Sequence, residues 1–323
     1  MNELKYKNNE EKEYCPIPAN ERNIPSVSAE FFVEIPMDNV TPGLNVVEGL
    51  IFDREGNLYV LHVPAGKVYK VDMETKEVSL FIDMPFHMIP AAIKIHKDGR
   101  FFICVVDSDF GSCVAIFSKE GEYLESIVKN TGRVIDDMVF DHNGGFYFSD
   151  LGGSIDHPNA GVFYVANDYK EVTPVVENGM VATNGIALSP DEKNLWVTEY
   201  GQAKLHYIKL TNNKFNVRPL AAFVAYHFTG IDGPDSICVD EDGNVYVAMT
   251  GQGRCLIFNK NGMPIGQVLI PNRDKGEMMK STHVMLRPNT NEAYICSADL
   301  KTGKSAIFVA KVFSKAHKSY QFQ

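Results

Sequence analysis

Pro234-Asp-Ser-Ile-Cys-Val-Asp-Glu-Asp-Gly-Asn-Val-Tyr-Val-Ala-Met249 reads as a β-hairpin with an acid in front of it. Two runs rich in β-branched and aromatic residues, Ile237 to Val239 and Val245 to Val247, flank the turn Asp242-Gly-Asn244. Turn chemistry of that kind between apolar runs predicts two antiparallel strands. Asp235 stands just ahead of the first run.

Outward from this stretch the same order recurs. Earlier copies are Glu48-Gly-Leu-Ile-Phe-Asp53 with Leu58-Tyr-Val60, Ala91-Ala-Ile-Lys-Ile-His96 with Phe101-Phe-Ile103, Asp136-Asp-Met-Val-Phe-Asp141 with Phe146-Tyr-Phe148, and Asn184-Gly-Ile-Ala-Leu-Ser189 with Leu195-Trp-Val197. A last copy is Thr282-His-Val-Met-Leu-Arg287 with Ala293-Tyr-Ile295. Successive first positions are 43, 45, 48, 51 and 47 residues apart, a period that suits four antiparallel strands per unit. Six units predict an all-β, six-bladed β-propeller. A helical repeat is the competing architecture, and the dense β-branched and aromatic triplets argue against it. Residues 1–30 carry charge and proline without periodicity and read as an extended lead-in, leaving residues 31–323 to the propeller. Phe31 to Ile35 is expected to close the ring by pairing in the blade that holds Ser305 to Val312, because an open sheet edge invites aggregation.

Acids outnumber bases, 41 against 31, so the formal charge is -10 and no basic stripe invites nucleic acid. The first residues lack the apolar core of a secretory signal, and no apolar run reaches the ~18 residues of a membrane span. The chain therefore reads as cytoplasmic, with no membrane partner, and as a monomer, since a closed propeller has little need to oligomerise. Six scattered cysteines without CxxC spacing read as inert core thiols.

In a propeller the innermost strands surround a channel, so one phase of each repeat converges in space. That phase holds Glu48, Ala91, Asp136, Asn184, Asp235 and Thr282, with Asp137 and Ser236 beside it. Carboxylates gathered in a channel repel one another unless a cation sits among them. Every candidate ligand is a hard oxygen, which disfavours zinc and copper and favours Ca2+, with Mg2+ or Mn2+ as alternatives. The plain structural reading is that each acid or amide makes an Asx-type turn before its strand.

Glu48-Gly-Leu, Asn184-Gly-Ile-Ala-Leu-Ser189 and Gly233-Pro-Asp-Ser236 resemble motifs of the senescence-marker protein and gluconolactonase family, regucalcin-like six-bladed calcium propellers that hydrolyse lactones. Ala91 to Arg100, Ile135 to Asp141, Gly251-Gln-Gly-Arg254 and Ser319-Tyr-Gln-Phe-Gln323 are similar to its bacterial drug-responsive lactonase branch. The resemblance implies that Glu48, Asn184 and Asp235 ligate the catalytic metal with Ser236 close by, and that Asp136 and Asp137 serve the same region. It also implies a second, structural calcium in the loops Val106 to Ser112 and Val128 to Arg133, although Lys129 and Arg133 stand where an acid would help.

The function expected is a calcium-dependent lactonase, with a small-molecule lactone as partner and Asp235 moving the proton between water and the leaving alkoxide. His283, beside Thr282, is a candidate second proton carrier or substrate contact and His62 follows a first-blade strand, but a histidine at a strand end more often reads as a structural residue. A metal-dependent phosphotriesterase on the same column and a non-catalytic binding propeller are the alternatives. No Gly-Xaa-Ser-Xaa-Gly elbow supports a serine hydrolase.

Overall fold

The computed structural model describes residues 17–36, 46–85, 87–109, 111–211, 217–230 and 232–323. It is a six-bladed β-propeller whose inner strands are Val47–Phe52, Met88–Ile95, Ile135–Phe140, Thr183–Leu188, Pro234–Val239 and Lys280–Leu286. Each begins a blade, numbered one to six, of antiparallel strands running outward. The hairpin quoted first is blade five, with Ile237 opposite Val247 and Val239 opposite Val245.

Its turn forms because Asp240 satisfies it. One carboxylate oxygen accepts the backbone N–H groups of Asp242 and Asn244, and the other accepts the Asn244 amide and, at 2.9 Å, the Tyr246 hydroxyl. Asp53 repeats the arrangement with Asn57 and Tyr59. The Asx reading therefore describes the acids that end the inner strands, not those that begin them.

Apolar side chains pack between neighbouring blades, so strands are covered on both faces and do not alternate. All five residues of Leu58–His62 and of Arg254–Phe258 are buried. Ile51, Leu61 and Val68 of blade one meet Ile93, Phe101 and Ile103 of blade two, and an equivalent cluster fills each of the other five junctions. Full burial of each such side chain contributes about 1.5–3 kcal/mol, so stability is spread around the ring.

Glu30–Ile35 is the outermost strand of blade six and pairs antiparallel with Ser305–Lys311. The preceding segment differs from an unpatterned lead-in. Ser26–Ser28 adds a parallel fifth strand to blade five, and Glu21 is buried against Arg254 at 2.6 Å. Residues 1–16, including Cys15, lie outside the described residues. The other five cysteines are buried free thiols. No helix among the described residues is long and apolar enough to cross a membrane.

Candidate functional site

Six inner strands bring the column residues together, and each does so with the same irregularity. Pairing to the second strand slips between Glu48 and Ile51, Pro90 and Ala92, Ile135 and Met138, Thr183 and Ile186, Pro234 and Ile237, and Ser281 and His283. A bulge bends its strand and re-aims the side chains that follow. Here a bulge falls at the column in every blade.

Hydroxyls stitch the column across blade boundaries. Ser149 donates to the Asn184 carbonyl, Thr198 to the Asp235 carbonyl at 2.7 Å, and Thr282 to the Val47 carbonyl at 2.5 Å. Thr250 Oγ1 donates to Asp235 Oδ2 at 2.6 Å and lies 3.0 Å from the Ser281 carbonyl. Removing such a buried donor costs about 1–3 kcal/mol when its acceptor is left unsatisfied. Glycine completes the fit between Asn184 and Asp235. A Cβ on Gly185 would lie 2.7 Å from Asp235 O, Ile237 N and Ser236 Cα, so only glycine lets the two strands approach this closely.

Glu48, Asp136 and Asp235 share one electrostatic environment. Burial holds the Glu48 carboxyl well above the usual carboxylate range, and the charges of Asp235, Asp136 and Asp137 push in the same direction. Asp136 is raised for the same reasons, with Lys94 acting against the shift. Burial pushes Asp235 up to about 7, opposed by the Thr250 hydroxyl, Lys280, the Ser236 N–H and the Asn184 amide. Burial holds His283 well below its ordinary value, with Lys94 adding to the effect, so its ring is neutral. His283 Nδ1 lies 3.7 Å from Glu48 Oε2. Both ring nitrogens of His283, and Asn184 Oδ1, are buried with no hydrogen-bond partner.

This donor set fits a hard divalent cation. Three acids with raised pKa values, Asp235 buried and Glu48 and Asp136 partly so, and an unpartnered amide oxygen are all relieved by a positive charge among them. Their carboxylate atoms do not all lie within 4.8 Å of one another; among the described residues only His87, Asp107 and Asp109 form such a group of three. Oxygens on opposite sides of a calcium ion stand about 4.6–5.2 Å apart, so a wider column remains compatible with one ion. The tighter trio lies in and beside the first loop expected to hold a second calcium, of which Phe110 is outside the described residues. In the other loop Arg133 is turned to Asp150, at 3.2 Å, and to the Asn159 carbonyl, at 2.6 Å.

Asp137 is placed differently from its neighbour. It is fully buried; Oδ1 accepts from Lys94 Nζ at 2.6 Å and from Met138 N, and Oδ2 accepts from Ile186 N. Ser236 is buried beside Asp235. His62 is buried at a strand end, stacked near Tyr69. Of the stitching hydroxyls only Thr282 falls in the repeat phase; Ser149, Thr198, Thr250 and Lys94 lie outside it. A lysine within the apolar run Ala91-Ala-Ile-Lys-Ile was the available signal for Lys94.

Three residues further along each inner strand, Ile51, Lys94, Val139, Ala187, Cys238 and Met285 surround a cavity of about 110 Å³. The chain terminus closes its far side: Tyr320 meets His96 Nε2 at 3.1 Å, the Gln321 amide donates to the Phe52 carbonyl, and Arg54 donates to the Gln321 carbonyl at 2.6 Å.

Residues 42–299 match the model of the SMP-30/gluconolactonase/LRE-like region. Over 311 residues the chain is 48% identical to the lactonase drp35 of Staphylococcus haemolyticus, covering 94% of this chain and 93% of that one. The same identity holds over 310 residues with the lactonase drp35 of Staphylococcus aureus strain MRSA252, at the same coverage. A calcium-binding regucalcin from Agrobacterium tumefaciens superposes with a TM-score of 0.69 at 15% identity, covering 91% of this chain and 99% of that structure, a likeness of fold.

Proposed function

This chain belongs to the SMP-30/gluconolactonase/LRE-like family, and on that premise we propose that it is a lactonase whose reaction takes place at the channel column. The catalytic ion is proposed to be calcium, held by Glu48, Asn184 and Asp235, with Ser236 and Asp136 at its edge. The observation that carries the site is the unpartnered Asn184 Oδ1 beside three acids whose carboxyls are held up by desolvation.

A cation bound there supplies Lewis-acid polarisation of the lactone carbonyl. The chain's own residues do the rest. Thr250 holds the Asp235 carboxylate in place through Oδ2. Water attacks the carbonyl carbon and gives its proton to the Asp235 carboxylate. The ring C–O bond then breaks, and Asp235 returns the proton to the departing alkoxide, leaving an open-chain hydroxy acid. Burial raises this carboxyl and a cation beside it brings it back down, so Asp235 is ionised and able to accept the proton first.

Dihydrocoumarin hydrolysis by the full chain, with and without chelator, tests the reading. Activity lost to chelator and restored by calcium is expected. Hydrolysis at an unchanged rate in chelator would remove the metal from the mechanism, and absence of any lactone hydrolysis would remove the function.

A further inference from the structure

Beneath the column lies one cation that the reaction does not consume. Lys94 enters from blade two with its side chain 13% exposed, its stem in the apolar ring of the cavity and its ammonium 2.6 Å from Asp137 Oδ1. Among the described residues the ammonium pairs with this one carboxylate. Its charge nevertheless reaches further, acting on Asp136, His283, Cys104 and Cys238.

Resting on the column reading above, we propose that Lys94 is a positioning residue that sets the net charge of the metal column, and with it how tightly a divalent cation is held. Glu48, Asp136, Asp137 and Asp235 would present four negative charges to one ion. Lys94 cancels the one on Asp137, while Lys280 acts from blade six on Asp235. The pair also holds geometry, since Asp137 Oδ2 accepts from Ile186 N two residues beyond Asn184, while the Asp137 backbone N–H bonds Ser149, whose hydroxyl donates to the Asn184 carbonyl. Blades two, three and four are thus linked through one ion pair to one candidate ligand.

Charge and geometry separate in a double-mutant cycle. Calcium affinity would be measured by titration calorimetry, with thermal melts, on the full chain and on Lys94→Met, Asp137→Asn and the double variant. Lys94→Met adds a net negative charge and is expected to bind calcium about tenfold tighter or more, whereas Asp137→Asn adds a positive one and weakens binding by a similar factor. The double variant restores the wild-type charge and returns to within about threefold of wild-type affinity. Should Lys94→Met not fold, recovery of affinity from Asp137→Asn to the double variant decides the matter. Equal affinity in the variants that fold, or weakening that the double variant does not reverse, would overturn the charge-setting role. A wild-type chain that binds no calcium would instead overturn the column reading, and this inference with it.

Discussion

Gly185→Ala is the sharpest perturbation of the site that leaves every functional group in place. The added Cβ would sit 2.7 Å from three backbone atoms of the Asp235–Ile237 stretch, where ordinary contact begins at 3.4 Å. Backbone cannot rotate away as a side chain can, so the Asn184 and Asp235 strands must part by the difference, 3.4 − 2.7, roughly 0.7 Å. The strain is of the overpacking kind, about 1–3 kcal/mol of stability. Its larger effect falls on function, because misplacing reacting groups by about 1 Å costs on the order of 10²-fold. With dihydrocoumarin at saturating calcium, kcat/KM should fall by something approaching that factor, calcium affinity should weaken, and the melt should remain cooperative. A variant with native melting, wild-type calcium affinity and kcat/KM within about threefold would refute the claim that this approach sets the site.

Other substitutions separate scaffold from chemistry. Asp235→Asn should keep the fold and lose about 10²–10⁴-fold in turnover, and near-normal kcat would take the proton-transfer role from Asp235. Glu21→Ala strands Arg254, which is 1% exposed; urea unfolding should show a loss of about 3–5 kcal/mol, and a change under about 1 kcal/mol would mean that Gln252 and Gln267 already satisfy the guanidinium. Deleting residues 1–36 uncovers the Ser305–Lys311 edge and should give insoluble protein. A soluble truncation with native melting would show that the outermost strand is dispensable.

The blades were legible because each repeat writes its own hairpin. Asp240-Glu-Asp-Gly-Asn244 forms its turn with local hydrogen bonds, and the alternation-free runs match strands covered on both faces. Phase alignment likewise placed Glu48, Asp136, Asn184 and Asp235 in one channel. What it missed is non-local. A bulge is a mismatch in count between two strands, and neither strand alone announces it. Ser149 and Thr198 look like ordinary strand hydroxyls until the next blade offers a carbonyl. Ser26–Ser28 is too short to carry a period and becomes a strand only beside Pro264–Leu269. Adjacent in sequence, Asp136 and Asp137 read as one unit, yet the bulge sends them to different partners: the column for one and Lys94 for the other.

The central claim is that one ion sits in the channel among Glu48, Asn184 and Asp235. Its most direct test is a crystal of the full chain soaked in calcium, with the ion placed by anomalous scattering. The account predicts a peak with oxygens of these three residues about 2.3–2.6 Å away. A peak at His87, Asp107 and Asp109 with none in the channel would contradict it.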